Sequence, residues 1–131
     1  MAMAAAALTQ RTILIVEDDP SARATLADVL ADEGYRCVAA ADGREAIAWL
    51  TGGVEPPCAI LLDLMMPGMN GWELHEWLRA QPRLASVPVV VLSAVRDGAQ
   101  EAARMGVAAF IQKPIGLEEL LATVERYCGG P

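Results

Sequence analysis

Glu17, Asp18, Asp19, Asp63, Ser93 and Lys113 are the residues of this 131-residue chain whose types and placement suit chemistry. The three acids follow the apolar run TILIV, Asp63 follows CAILL, Ser93 follows VPVVVL, and Lys113-Pro114 follows AAFIQ. If these runs are neighbouring strands, one crevice gathers at least three carboxylates. At a separation of about 5 Å and an effective dielectric of about 20, each pair repels by roughly 3 kcal/mol, so a cation is called for among them. All-oxygen ligands suit a hard divalent ion. A few carboxylates with room for water favour Mg²⁺ over a calcium cage, and Mn²⁺ can substitute. The chain holds nine arginines and a single lysine, which falls at the end of the last apolar run, where a compact ammonium can neutralise a phosphate. A carboxylate nucleophile beside a divalent ion, an ammonium and a hydroxyl is equipped to accept a phosphoryl group as an aspartyl phosphate.

The elements that must position these groups are legible in the hydrophobic pattern. Five short, continuously apolar runs read as fully buried strands: TILIV from Thr12, then Cys37 to Ala41, Cys58 to Leu62, Val87 to Leu92 and Ala108 to Gln112. Helices are predicted over Ser21 to Glu33, Gly43 to Leu50 behind the cap Asp42, Trp72 to Ala80, Ala99 to Met105 and Leu117 to Cys128. Pro20 and Asp19 read as helix-start residues; Pro67, Gly68 and Gly71 make LMMPGMNG a loop. Strands alternating with helices imply an α/β, doubly wound, five-stranded parallel sheet with helices on both faces, in the flavodoxin-like order 2-1-3-4-5. In such sheets ligands sit beyond the carboxyl ends of the strands, where the winding reverses, here between the first and third strands.

Composition bounds the rest. The chain is 54% hydrophobic and 21% charged, with net charge −7, which fits one well-packed domain and disfavours direct nucleic-acid binding. No stretch reads as a signal peptide or a membrane span. Cys37, Cys58 and Cys128 are odd in number and widely spaced, suggesting neither a disulfide framework nor a zinc site, and a reducing cytoplasm is the expected location. Residues 1–11 are expected to form a flexible tail, 12–128 the domain and 129–131 a short C-terminal tail. His75, with no second His or Cys nearby, is expected at the surface, and Trp49, Trp72 and Trp77 as packing residues.

Taken together, IVEDD, LLDLMMPGMNG, VVVLSA and FIQKP, in this order and at these separations, resemble the receiver domains of two-component response regulators. The resemblance spans nearly all of Thr12 to Cys128. It implies that Asp63 is the phosphoacceptor and that Asp18 and Asp63 ligate Mg²⁺ directly. The Met65 backbone carbonyl would be a further ligand, and Glu17 one through water. Ser93 and Lys113 would each bind a phosphoryl oxygen. The donor would be a phosphohistidine on a histidine kinase or a histidine phosphotransfer protein. Ser93 and Phe110 would form a switch: the hydroxyl moves toward the phosphoryl group and the ring turns inward, to control a downstream protein through helix four, strand five and helix five. Family members often carry Tyr at the position of Phe110, and the missing phenol is expected to ease the inward turn.

The same resemblance implies a phosphoacceptor with intrinsic autophosphatase activity in place of an enzyme, as a monomer or weak dimer, either stand-alone or excised from a longer protein. The segment from Ser93 to Lys113 is shorter than the family leads one to expect, and VRDGAQEAARMG makes a Gly-interrupted fourth helix, so the output face departs from the usual. Two alternatives stay open: a Mg²⁺-dependent phosphohydrolase of the haloacid-dehalogenase type, which places its nucleophile on strand one, and a receiver-like binding module that is not phosphorylated.

Overall fold

A computed structural model describes residues 12–66, 68–94 and 97–129. The tail expected over 1–11 and the last two residues of the one expected over 129–131 lie outside the described residues. Five strands, β1 (Thr12–Val16), β2 (Arg36–Ala40), β3 (Ala59–Asp63), β4 (Val89–Ser93) and β5 (Ala109–Gln112), pair in parallel in the order β2-β1-β3-β4-β5. They alternate with α1 (Pro20–Asp32), α2 (Gly43–Leu50), α3 (Gly71–Ala80), α4 (Gly98–Met105) and α5 (Leu117–Cys128). The architecture expected from the pattern is thus observed. Boundaries shift by a residue or two, most at β4, which starts at Val89 because Pro88 has no N–H to offer the ladder while its carbonyl accepts from Ile60 N at 2.9 Å. No helix among the described residues is long and apolar enough to cross a membrane.

The pleat sorts the side chains into two cores. Ile13 and Ile15 of β1, Leu61 of β3 and Val90 and Leu92 of β4 pack with Leu26 and Leu30 of α1 and Leu120 and Val124 of α5. Leu14, Val16, Ile60, Leu62 and Val91 pack on the opposite side with Leu50, Leu74 and Leu78. β1, β3 and β4 are buried on both faces, which is why they read as unbroken apolar runs with no alternation.

α3 is anchored tightly to the end of β3. Asn70 and Glu73 form a reciprocal capping box, and Gly71 N donates to Leu64 O at 3.0 Å. A Cβ on Gly71 would lie 2.7 Å from Leu64 Cα and 2.8 Å from Asp63 O, both backbone atoms that cannot rotate aside.

Two sequence expectations are overturned. Cys58, just before β3, and Cys128, ending α5, form a disulfide with Cα atoms 5.2 Å apart, because α5 folds back over the start of a strand 70 positions earlier. Only Cys37 remains a free thiol, half-buried, its pKa pushed up to about 11 by burial. His75 is 6% exposed and not a surface residue: Gly71, Leu74, His75 and Leu78 are the inward stripe of α3.

Gly71→Ala should cost about 1–3 kcal/mol of stability through this overpacking. Chemical denaturation would show a lower midpoint at unchanged slope; an unshifted midpoint would mean the contact between α3 and β3 is looser than these distances.

Candidate functional site

The carboxyl ends of β1, β3, β4 and β5 converge, and each delivers one polar group. Glu17 follows Val16, Asp63 is the last residue of β3, Ser93 the last of β4, and Lys113 follows β5. The register that pairs Val16 with Leu62, Asp63 with Leu92 and Ser93 with Gln112 brings them level. Alternation then separates them by face. Glu17, Asp63 and Lys113 share the parity of Ile15, Leu61 and Ile111, whereas Ser93 and Phe110 share that of Val91 and belong to the opposite side.

Ligand oxygens of Glu17, Asp18 and Asp63 all lie within 4.8 Å of one another. Glu17 is 1% and Asp63 5% exposed, while Asp18 is half-buried. Lys113 Nζ reaches Glu17 Oε1 at 2.6 Å and stands 3.7 Å from Asp63 Oδ2. Asp63 Oδ1 accepts from Met65 N at 3.2 Å, and Glu17 Oε2 from Asp19 N at 3.3 Å. Asp19 is exposed and serves as the N-cap of α1, its carboxylate accepting from Ser21 N at 3.3 Å.

Burial and the neighbouring Glu17 carboxyl push Asp63 up to about 7, against the pull of Lys113. Burial also disfavours the Glu17 carboxylate, but hydrogen bonds to Asp63 and Lys113 outweigh it and hold Glu17 below the usual carboxylate range. Burial opposes the Lys113 charge, yet its contacts with Glu17 and Asp63 raise its pKa. The two carboxyls behave as one coupled unit: charge is held preferentially on Glu17, where the ammonium is closest, and Asp63 is the member that keeps a proton up toward neutral pH. An acidic pocket of hard oxygen donors with these spacings fits a Mg²⁺ ion, which would displace that proton.

Sequence reasoning missed Arg23. From the first turns of α1 its Nη1 donates to Glu17 O at 2.9 Å and Asp18 O at 3.3 Å, fixing the backbone that carries both acids. A solvated helical arginine and a loop clamp look alike in sequence, since the acceptors are main-chain carbonyls. It also missed Gly98, the first residue of α4. A Cβ there would lie 2.7 Å from the Phe110 ring and 3.5 Å from Ser93 Cβ, so the glycine makes the room in which the ring sits half-buried beside fully buried Ser93. Trp72 Nε1 further ties α3 to α4 by donating to Glu101 Oε2 at 3.4 Å.

Known proteins resemble this chain in sequence and in fold. The response regulator receiver domain family model matches residues 13–125. The chain is 38% identical over 112 residues to the transcriptional regulatory protein TcrA of Mycobacterium tuberculosis, covering 84% of this chain and 43% of TcrA, so it spans less than half the length of that relative. The receiver domain of a signal transduction histidine kinase from Syntrophus aciditrophicus superimposes with a TM-score of 0.81 at 34% identity, covering 89% of each chain. The receiver domain of the sensor histidine kinase PA1611 from Pseudomonas aeruginosa PAO1, solved with a magnesium ion coordinated in its active site cleft, superimposes with a TM-score of 0.81 at 28% identity. That match covers 92% of this chain and 98% of the other.

The raised Asp63 pKa has a signed consequence for stability. Relative to the unfolded chain, burying Asp63 is free of charge penalty below its ordinary value of 3.8 and grows costlier as pH rises through about 7. The melting temperature of metal-free protein should therefore fall across that window, and Asp63→Asn or added Mg²⁺ should flatten the decline. A melting temperature that rises with pH over the same range would contradict the pairing.

Proposed function

Because the chain belongs to the response regulator receiver domain family of two-component signalling, we propose that Asp63 accepts a phosphoryl group from the phosphohistidine of a partner histidine kinase or histidine phosphotransfer protein, and that the resulting switch controls a downstream protein. The observation that carries this is the gathering of Glu17, Asp18 and Asp63 within 4.8 Å, with the ammonium of Lys113 3.7 Å from Asp63.

Asp18 and Asp63 would hold Mg²⁺ directly, the Met65 carbonyl would add a ligand, and Glu17 would act through water; the bound ion supplies positive charge for the transferring oxygens. A deprotonated Asp63 oxygen attacks phosphorus in line. The O–P bond forms as the N–P bond of the donor breaks, and the electron pair leaves with the imidazole nitrogen. No general base is needed at the moment of attack, since Asp63 reacts as the carboxylate, its proton having been released to solvent beforehand. Lys113 shifts its hydrogen bonding from Glu17 toward the arriving phosphoryl oxygens and stabilises their charge. Arg23 keeps the two acidic residues from drifting apart while this happens.

Ser93 donates its hydroxyl to a phosphoryl oxygen and Phe110 follows. Its ring already rests inward of full exposure, against Gly98, with no phenol to satisfy, so the switch in this chain needs a short movement. Output passes through α4, a regular helix of eight residues capped after Met105 by Gly106 at φ 74°, together with β5 and α5. We read the setting as cytoplasmic from membership of the receiver family and not from the cysteines, since Cys58 and Cys128 pair. The dehalogenase-type phosphohydrolase is set aside, since that arrangement needs the nucleophile on the first strand and here Asp63 ends the third.

Incubation with acetyl phosphate and Mg²⁺, which breaks the mixed-anhydride P–O bond and releases acetate, should add the mass of one phosphoryl group. Asp63→Asn and removal of Mg²⁺ by chelation should each abolish it; no adduct on the parent protein would favour a receiver that acts unphosphorylated. Gly98→Ala should displace the ring of Phe110, the chain's one phenylalanine. Its single set of ring NMR signals should move toward solvent-exposed values, and unchanged signals would refute the seat.

A further inference from the structure

At the amino-terminal ends of β4 and β5, the edge of the sheet opposite Asp63, lies a second cavity of about 380 Å³. Its walls come from the second half of α3, the segment leading into β4, the turn from Gly106 to Ala108 and Tyr127 near the end of α5. Leu84 and Val87 give it an apolar side, and the size is at the low end of small-molecule sites.

Two polar groups set its chemistry. His75 lines the cavity and is more than nine-tenths buried, and its imidazole makes no hydrogen bond to any described residue. A buried imidazole N–H without a partner is a costly arrangement, which a ligand acceptor would relieve. Arg79 stands four residues further along α3 and so on the same side of the helix. Its Nη1 touches Met105 O at a long 3.5 Å, which leaves most of the guanidinium's donors available. Burial and the charge of Arg79 hold the imidazole below its usual pKa, against the opposing effect of Glu76, so at neutral pH the ring is uncharged and carries one N–H. The lining contains no Asp or Glu, in a chain whose net charge is −7. Tyr127 is already engaged, donating to Ala108 O at 2.9 Å.

We propose that this cavity binds a small organic oxyanion, a short-chain carboxylate or a phosphate group, with the charge on Arg79, one oxygen accepting from His75, and any apolar body against Leu84 and Val87. The guanidinium supplies the charge-assisted, fork-shaped contact that oxyanions favour. The imidazole supplies a neutral donor that fixes orientation. The site is separate from the acidic pocket and stands whether or not Asp63 is phosphorylated.

His75 is the sole histidine, so its ring resonances are single and assigned by inspection. The whole chain, free of Mg²⁺, would be titrated at neutral pH with sodium butyrate, with inorganic phosphate and, as an ionic-strength control, with sodium chloride. We expect a saturable shift of the His75 ring signals with butyrate or phosphate at low millimolar concentration and none with chloride; which anion saturates identifies the preferred oxyanion. Arg79→Gln, an exposed change that leaves the core untouched, should weaken binding about tenfold, and Arg79→Lys should restore part of it. Saturation by neither anion up to tens of millimolar, a response equal to that of chloride, or binding that Arg79→Gln leaves intact would each overturn the proposal.

Discussion

Two carboxyl groups held within 4.8 Å of each other, both almost fully shielded from water, repel each other in a setting where solvent cannot relieve them. Everything near Glu17 and Asp63 answers that constraint. Lys113 lies between them, closer to Glu17; Asp63 keeps a proton up toward neutral pH; Met65 N and Asp19 N each donate to one carboxyl. None of these fully discharges the repulsion, and the remainder is what makes the pocket receptive to a divalent ion. The parallel sheet is the device that imposes the crowding. Its strands all end on one edge, so residues separated by tens of positions in sequence have no alternative but to meet there.

The sheet also divides labour between its faces. The charged groups share one parity, and Ser93 with Phe110 shares the other, where α4 lies. A chemical event on one side is thus adjacent to, but sterically distinct from, the side that would transmit it. Contact across the gap is short: the Phe110 ring abuts Gly98, and Trp72 holds Glu101 one turn along the same helix.

The chemistry-bearing residues were legible because each sits directly after an apolar run, and a run buried on both faces leaves only its end for function. Element order followed from the alternation of strand-length and helix-length patterns. What stayed hidden depends on contacts that sequence does not encode locally. The Arg23 clamp acts on main-chain carbonyls, which every sequence possesses, and the seat under Phe110 exists only because β5 lies across the start of α4. Cys58 and Cys128 gave no spacing cue, because their meeting follows from how α5 returns across β3. His75 is different: Gly71, Leu74 and Leu78 mark the buried stripe of α3, and His75 falls on it, so its position was readable and its residue type misled.

The bond between Cys58 and Cys128 closes the C-terminal half of the chain onto the start of the strand that carries Asp63, with Tyr35 adding a hydrogen bond to Gly129 O at 2.7 Å. It lies at the far edge of the sheet from the carboxyl cluster. Without that covalent tie the last helix would be held to the sheet by its packing and the Tyr35 hydrogen bond alone, so the bond fixes the outer frame of the domain while the acids at the opposite edge are positioned independently of it.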